Sequence, residues 1–249
     1  MALKPSPLRL VPRGRAATGR SSAPKRLWAV ELVPGRVRTA LLSMTAGLRA
    51  LTGAGVRVEH LARLQVLGDR WFGDGRGRST FASVSTGEVR GVETLYDGEV
   101  MAPPGGRSGA RMTVSASGDR CTCGNLGCWK TLATTGRLRA RAGAAGLGAD
   151  TSLDELVNRG DAPAARVVEE YAQNLALGLV NVQQLSAPGL FILHGEAREG
   201  GERFGTVVEE RLRAAVAFAG AEEPRVLVGT AAVDDVELLG AAGLVLPHR

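Results

Sequence analysis

Apolar residues recur every three or four positions between residues 168 and 182, which is the spacing that keeps side chains on one face of an α-helix. The positions that share this face are Val168, Tyr171, Leu175, Leu179 and Val182. Asp161 and Pro163 stand ahead of the stripe, and an acidic N-cap with proline in the first turn is typical of a helix start. The pattern therefore predicts a long amphipathic helix that begins at Asp161.

Shorter apolar runs, bounded by turn-forming and charged residues, predict strands in both halves of the chain. These runs cover residues 27–33, 36–43, 46–51, 56–59, 81–85, 89–96, 111–115, 190–193 and 225–228. Pro34 and Gly35 suit the central positions of a type II turn between the first two strands. A helix is predicted from the end of the 56–59 strand to about residue 72, and further helices over 201–218 and 234–246. Strands that come first and then alternate with helices indicate an α/β fold.

Positive charge is concentrated at the N-terminus. Residues 1–26 hold seven lysine or arginine residues and no acidic one, whereas the whole chain of 249 residues has a formal charge of +6, so residues 27–249 sum to −1. The first 26 residues also lack apolar periodicity, which predicts a basic disordered tail ahead of a domain over 27–249. We expect at most weak contact of this tail with nucleic-acid phosphates, without recognition of base sequence.

Apolar runs along the chain stay well short of the roughly 20 residues that a membrane-spanning helix needs. We therefore expect a cytoplasmic protein that has no contact with a membrane. The three cysteines of the chain fall within eight residues, as Cys121, Cys123 and Cys128. An odd number of clustered cysteines favours a metal site over a disulfide framework, and thiolates at this spacing suit zinc.

The segment around these cysteines, MTVSASGDRCTCGNLGCWK over residues 112–130, resembles the signature of the ROK family of bacterial sugar kinases and sugar-responsive transcription regulators. Similar segments follow the family order at 56–73, 178–188, 191–195 and 238–242, so the resemblance covers roughly residues 27–246. It implies an actin-like (ribonuclease-H-like) fold, in which two α/β lobes enclose a ligand cleft.

The first of these lobes is predicted to be incomplete. The resemblance places the family's phosphate-loop Asp at Glu31 and the family's catalytic Asp just after Glu59, and Glu31 and Glu59 are only 28 positions apart. A single parallel crossover needs a dozen or more residues. We therefore predict a reduced first lobe over 27–115 and a second lobe, with the cysteines and most helices, over 116–249.

The catalytic position implied by the resemblance holds no carboxylate. Leu61 stands where the family has the Asp that takes a proton from the sugar hydroxyl, and His60 stands where it has Asn. Loss of a general base costs about 10²–10⁴-fold in rate. We therefore predict no catalytic residue and a pseudo-kinase.

The implied phosphate loops are altered as well. The first loop corresponds to a stretch with Glu31, Val33, Pro34 and Gly35, and proline removes an amide donor. The other two loops retain one glycine each, Gly87 and Gly195, and each is followed by a glutamate. Because a carboxylate repels a polyphosphate, we do not expect ATP to bind.

Two further implied sites have changed residues. The sugar-contacting segment corresponds to Ser108 through Arg111, and Lys130 replaces a glutamate that would accept bonds from sugar hydroxyls. Arg111 also replaces the histidine that completes the zinc site in the family. The fourth zinc ligand would then be water, His60 or a group from a partner chain, and the alternative is three reduced thiols without metal.

Three functional hypotheses follow. The first is a catalytically inactive ROK-like protein, a ligand-binding and dimerisation module of the regulator type without its winged helix, because a 26-residue tail is too short for that domain. Such a module would pair with itself or with a full-length relative. The alternatives are an ATP-dependent sugar kinase and a non-functional truncated fragment.

Overall fold

The computed structural model describes residues 49–50, 53, 59–88, 91–102, 109–216, 223–230 and 233–244. A compact unit spans Val58–Gly243 and is built on one five-stranded sheet with the order β3-β2-β1-β4-β5. The strands are β1 (Phe81–Thr86), β2 (Gly91–Tyr96), β3 (Glu99–Val100), β4 (Leu190–Gly195) and β5 (Arg225–Val228). The first three form an antiparallel meander, and β4 and β5 run parallel to β1.

This arrangement, a three-stranded meander extended by two parallel strands, is the sheet of a ribonuclease-H-like lobe. The α/β fold class predicted from the sequence is confirmed. The division predicted between residues 115 and 116 instead lies inside this compact unit, because the meander and the later parallel strands share one sheet.

The helices lie between and after the strands. They are α1 (Leu61–Trp71), α2 (Trp129–Leu132), α3 (Thr135–Ala144), α4 (Leu153–Arg159), α5 (Ala162–Ser186), α6 (Ala197–Val216) and α7 (Val233–Gly243). Helix α6 is interrupted at Gly201, where φ is 58°. Helices α1 and α7 pack against each other and α1 lies on β1 and β2, while α6 lies on β4, β5 and α5.

Local sequence explains where the best-defined helices begin. The Asp161 carboxylate accepts a hydrogen bond from the Ala164 amide at 2.8 Å, which satisfies one of the free N–H groups of the first turn of α5. Ser152 and Glu155 form a reciprocal capping box at the start of α4. The predicted start of the long helix at Asp161 is therefore confirmed.

The two faces of the sheet bury different side chains. Ala82 and Val84 of β1 belong to the main hydrophobic cluster with α5 and α6. Ser83 and Ser85 alternate with them and point to the face that carries α1. The core of the unit is thus apolar on one side of the sheet and partly polar on the other.

Several strand predictions need correction. Residues 111–115 form no strand, and only Thr113 makes an isolated bridge, to Cys128. In the predicted strand 46–51, the two described residues, Arg49 and Ala50, are helical. The predicted strands at 27–33 and 36–43 and the tail 1–26 lie outside the described residues, as do three of the four positions of the 56–59 strand.

Candidate functional site

The cysteine loop, residues 121–128, is held in shape by its own backbone. The Cys121 amide donates to the Asn125 carbonyl at 2.8 Å, and the Gly124 amide donates back to the Cys121 carbonyl at 2.9 Å. Gly127 has φ of 59°, and a Cβ there would lie 1.6 Å from the Ser115 carbonyl oxygen. Only glycine therefore fits at position 127, and the loop folds back sharply enough to converge its thiols.

The structure brings all three predicted metal ligands together. The sulfur atoms of Cys121, Cys123 and Cys128 lie within 4.8 Å of one another, and the Cys123 and Cys128 sulfurs are 3.6 Å apart. Cys121 and Cys128 are buried, whereas Cys123 is half-buried. Burial opposes ionisation of Cys121, but the Cys123 amide and the neighbouring thiols lower its pKa to about 7. Burial and then the other two thiols raise the pKa of Cys128 to about 11.

The three cysteines supply three of the four ligands that a structural zinc ion takes. Three convergent thiols are soft ligands of the kind found in structural zinc sites. Among the described residues, the group contains no histidine, carboxylate or further thiol, so His60 is not part of it. Arg111 is exposed and cannot supply a lone pair. Cys121, Cys123 and Cys128 would thus hold the metal, and its chemistry there would be to cross-link the loop.

The loop is tied to the core through the residue that follows it. Trp129 is fully buried, and its indole N–H donates to the Asn174 carbonyl of α5 at 3.0 Å. A Cβ at Gly178 would lie 2.2 Å from the Trp129 ring. Trp129 thus belongs to the core, and the cysteine loop is anchored on the longest helix.

A second group of candidate residues lies at the carboxyl edge of the sheet, residues 86–88 and 194–197, where parallel β1 and β4 both end. Gly87 and Gly195 have φ of 103° and 78°, values that favour glycine. A Cβ at Gly195 would lie 2.3 Å from the Thr86 carbonyl oxygen. The Thr86 hydroxyl donates to the His194 carbonyl at 2.6 Å and accepts from the Ala197 amide at 2.8 Å. These bonds lock the two strand ends together.

Two carboxylates of the chain take up the donors at this edge. Glu88 accepts the Gly136 amide at 2.6 Å, which is one of the free N–H groups at the start of α3. Glu196 accepts the hydroxyls of Thr135 and Tyr171, both at 2.8 Å. A helix start that would otherwise attract an anion is thus already bonded to protein carboxylate.

The remaining predicted residues are more scattered. His60 is the exposed N-cap of α1 and makes no side-chain cap bond. Leu61 is the first residue of α1 and offers no group that accepts a proton. Lys130 is half-buried, and its amide donates to the Ala110 carbonyl at 3.0 Å. Ser108, Glu31 and Gly35 lie outside the described residues.

The structure also shows a buried polar network that the sequence analysis missed. The Asp69 carboxylate of α1 lies 2.7 Å from His194 Nε2 of β4 and accepts the Ser83 hydroxyl of β1 at 2.5 Å. All three residues have zero exposure. A second series of hydrogen bonds runs beside it. The Ser85 hydroxyl donates to the Gln65 side chain, and the Gln65 amide donates to Glu237 of α7 at 3.1 Å.

One sequence signal could have pointed to this network. Ser83 and Ser85 alternate with apolar residues in β1, and polar residues on a strand between two buried neighbours require buried partners. Gln65 and Asp69 stand four positions apart on the adjacent helix, so they share one of its faces. The network could therefore have been suspected, but not its partner in β4.

Along the described part of the chain, no helix combines the length and apolar character required to cross a membrane. Comparisons with known proteins agree with the architecture. The model of the ROK family matches residues 35–248.

Relatives of two functional kinds are found. The chain is 25% identical over 225 residues to a glucokinase from Thermotoga maritima, covering 81% of this chain and 69% of that protein. It is 25% identical over 149 residues to a xylose repressor from Bacillus spizizenii, covering 58% of this chain and 38% of the repressor.

The similar solved structures likewise include both a kinase and a transcriptional regulator. A ROK family glucokinase from Streptomyces griseus, in complex with glucose and AMPPNP, superposes with a TM-score of 0.70 at 22% identity, over 80% of this chain and 71% of that one. A ROK family transcriptional regulator homologous to the E. coli MLC protein gives 0.68 at 20% identity, over 81% of this chain and 56% of that one. At these identities the structures establish the fold alone.

Proposed function

Because this chain belongs to the ROK family, we propose that it is a catalytically inactive, regulator-type ligand-binding module and not a sugar kinase. The observation that carries the proposal is the carboxyl edge of the sheet. There the Glu88 carboxylate accepts the Gly136 amide at the start of α3, and Glu196 accepts the hydroxyls of Thr135 and Tyr171.

A kinase of this family needs that edge for nucleotide phosphates. Phosphate binding uses free backbone amides and positive charge. In this chain Glu88 would have to leave the Gly136 amide before an anion could bind, and both carboxylates would repel it. The edge therefore disfavours a polyphosphate both through charge repulsion and because Glu88 already occupies the Gly136 amide.

The start of α1 supports the same proposal. Leu61 occupies its first position, and a leucine cannot act as the general base for attack by a sugar hydroxyl. A missing base costs about 10²–10⁴-fold in rate. Two independent requirements of phosphoryl transfer, a base and an anion-accepting loop, are thus both compromised.

A sugar-dependent ADP-release assay tests this proposal, with hexoses and acetylated hexosamines as substrates. We expect the natural chain to match a protein-free control. Leu61→Asp restores the carboxylate, and Leu61→Asn is its matched control of similar shape without a base. We expect both variants to remain inactive because the carboxyl edge is unchanged.

The outcomes separate the two parts of the proposal. ADP release by the natural chain that disappears in His60→Ala would show that His60 serves as the base and would refute inactivity. Activity in Leu61→Asp but not in Leu61→Asn would show that only the base is missing, and that the carboxyl edge accepts ATP.

A sugar kinase is the second candidate, and one observation favours it. Gly87 and Gly195 retain positive φ at the ends of β1 and β4, as loops that approach phosphates closely require. Thermal unfolding with each sugar, and separately with magnesium and AMPPNP, distinguishes the candidates. A binding module gains stability from sugar but not from the nucleotide, whereas a kinase gains stability from both.

A further inference from the structure

The three thiols of the cysteine loop differ in how solvent can reach them. Cys121 and Cys128 are buried, while Cys123 is half-buried. The sulfurs of the accessible Cys123 and the buried Cys128 lie 3.6 Å apart. A reagent from solution therefore meets Cys123 first, with a second thiol already beside it.

We propose that Cys123 and Cys128 form a site of reversible oxidation that closes an intramolecular disulfide and leaves Cys121 as a free thiol. The co-reactant is a hydroperoxide. In the first step the Cys123 sulfur attacks the peroxide, giving a sulfenic acid and an alcohol or water. In the second step the Cys128 sulfur attacks that sulfenic sulfur, and one water leaves with the hydroxyl group and a proton. Two electrons pass from the thiols to the peroxide.

The backbone of the loop favours this pair. Gly124 and Gly127 both stand between the two cysteines and both have positive φ, 94° and 59°. A disulfide closes at about 2.05 Å between sulfurs, so the 3.6 Å contact must shorten by side-chain rotation and a small loop movement. Cys121 and Cys123 are separated by one residue only, which restricts the dihedral angles that a bond between them would require.

The oxidised site and a metal site exclude each other. A disulfide between Cys123 and Cys128 removes two of the three thiols that converge within 4.8 Å. Conversely, zinc bound by the same cysteines would occupy their sulfurs and so slow their reaction with the peroxide. The loop would therefore alternate between a metal-binding form and a metal-free, cross-linked form. This inference does not depend on the proposed absence of kinase activity.

The test uses the full chain, prepared once after chelator treatment and once after addition of zinc, and then exposed to stoichiometric hydrogen peroxide. The metal-free sample is expected to lose about 2 Da, the mass of two hydrogens, and to keep one thiol that N-ethylmaleimide labels. Trypsin cleaves after Arg120 and Lys130, so all three cysteines fall on one peptide. Fragmentation of that peptide is expected to place the label on Cys121. Dithiothreitol restores three thiols, and the zinc-treated sample reacts more slowly.

Single variants sharpen the assignment. Cys121→Ser is expected to form the disulfide, whereas Cys123→Ser and Cys128→Ser are not, with circular dichroism confirming that each variant is folded. A disulfide through Cys121, a link between two chains, or sulfinic and sulfonic acids in place of a disulfide would overturn the proposal. Equal rates with and without zinc would overturn the exclusion between metal and oxidation.

Discussion

The two faces of the five-stranded sheet are built from the same alternating strands, yet they are buried in different ways. One face presents Ala82, Val84, Phe191 and Leu193 to the cluster with α5 and α6. The opposite face presents Ser83, Ser85 and His194 to α1, whose Asp69 bonds two of them directly. The first face depends on shape and apolar area, and the second on mutual hydrogen bonding.

The polar face therefore lies next to the predicted site, whereas the apolar face serves mainly to stabilise the unit. The polar face joins α1, which begins at Leu61, to β4, which ends at Gly195. Both ends belong to the positions where the family resemblance placed a base and a phosphate loop. The network joins Asp69, in the last turn of α1, to His194, next to the end of β4, whereas the apolar face supplies most of the burial.

The apolar face is expected to give the largest single effect on stability. Phe191 is fully buried in the main cluster, and Phe191→Ala should lower the free energy of unfolding by about 3–5 kcal/mol through the lost transfer energy and the resulting cavity. Urea unfolding measures this value. Phe72, which is 44% exposed, is the matched control, and an equally large loss in Phe72→Ala would contradict the comparison.

A smaller but substantial loss is expected on the polar face. Asp69→Ala removes the partner of Ser83 and His194, and each buried group left unsatisfied costs about 1–3 kcal/mol. We expect a total loss of about 2–4 kcal/mol in urea unfolding. Asp150→Ala, at an exposed aspartate, is the control and should change stability by less than about 0.5 kcal/mol.

A double-mutant cycle shows whether the polar face acts as a unit. If Asp69 and His194 depend on each other, the loss in Asp69→Ala/His194→Ala should differ from the sum of the single losses by about 0.5–3 kcal/mol. Additive losses would mean that the 2.7 Å contact contributes nothing specific.

The contrast also explains what the sequence could predict. Helix α5 was predicted with its correct N-cap because its stripe and its capping residue are both local features. The convergence of the three cysteines was predicted for the same reason, since they fall within eight residues. Fold class followed from the order of elements and from the family resemblance.

The part that His194 plays in the polar network could not be predicted, because Asp69 and His194 are 125 positions apart and no local pattern relates them. The strand predicted at 111–115 was wrong because these residues lie against the cysteine loop and not beside a strand of the sheet. Their one β-bridge joins Thr113 to Cys128. The capture of the α3 amide by Glu88 likewise depends on a contact between residues 48 positions apart.

The smallest expected effect is a pH dependence on the polar face. Burial raises the pKa of Glu93 above its ordinary value of 4.5, although the Thr94 and Ala102 amides donate to it. The folded state therefore binds the Glu93 proton more tightly than the unfolded state does. The contribution of the protonated Glu93 to stability is complete below pH 4.5 and is lost as pH rises through the raised pKa.

Glu93→Gln cannot titrate and is expected to remove this loss. Chemical unfolding from pH 4 upward should therefore show the variant gaining stability relative to the natural chain as pH rises. Glu99→Gln, at an exposed glutamate of β3, is the control and should follow the natural chain. A relative gain toward low pH would have the wrong sign for a carboxyl group buried in this way.

We propose that the carboxyl edge of the sheet does not accept a nucleotide, because Glu88 and Glu196 already bond to its donors. Calorimetric titration of the natural chain with magnesium and AMPPNP tests this directly. We predict no saturable binding up to about 1 mM, which corresponds to a binding free energy weaker than about −4 kcal/mol. Saturable binding with a dissociation constant near 1 μM, about −8 kcal/mol, would show that the edge opens to phosphate and would contradict the account.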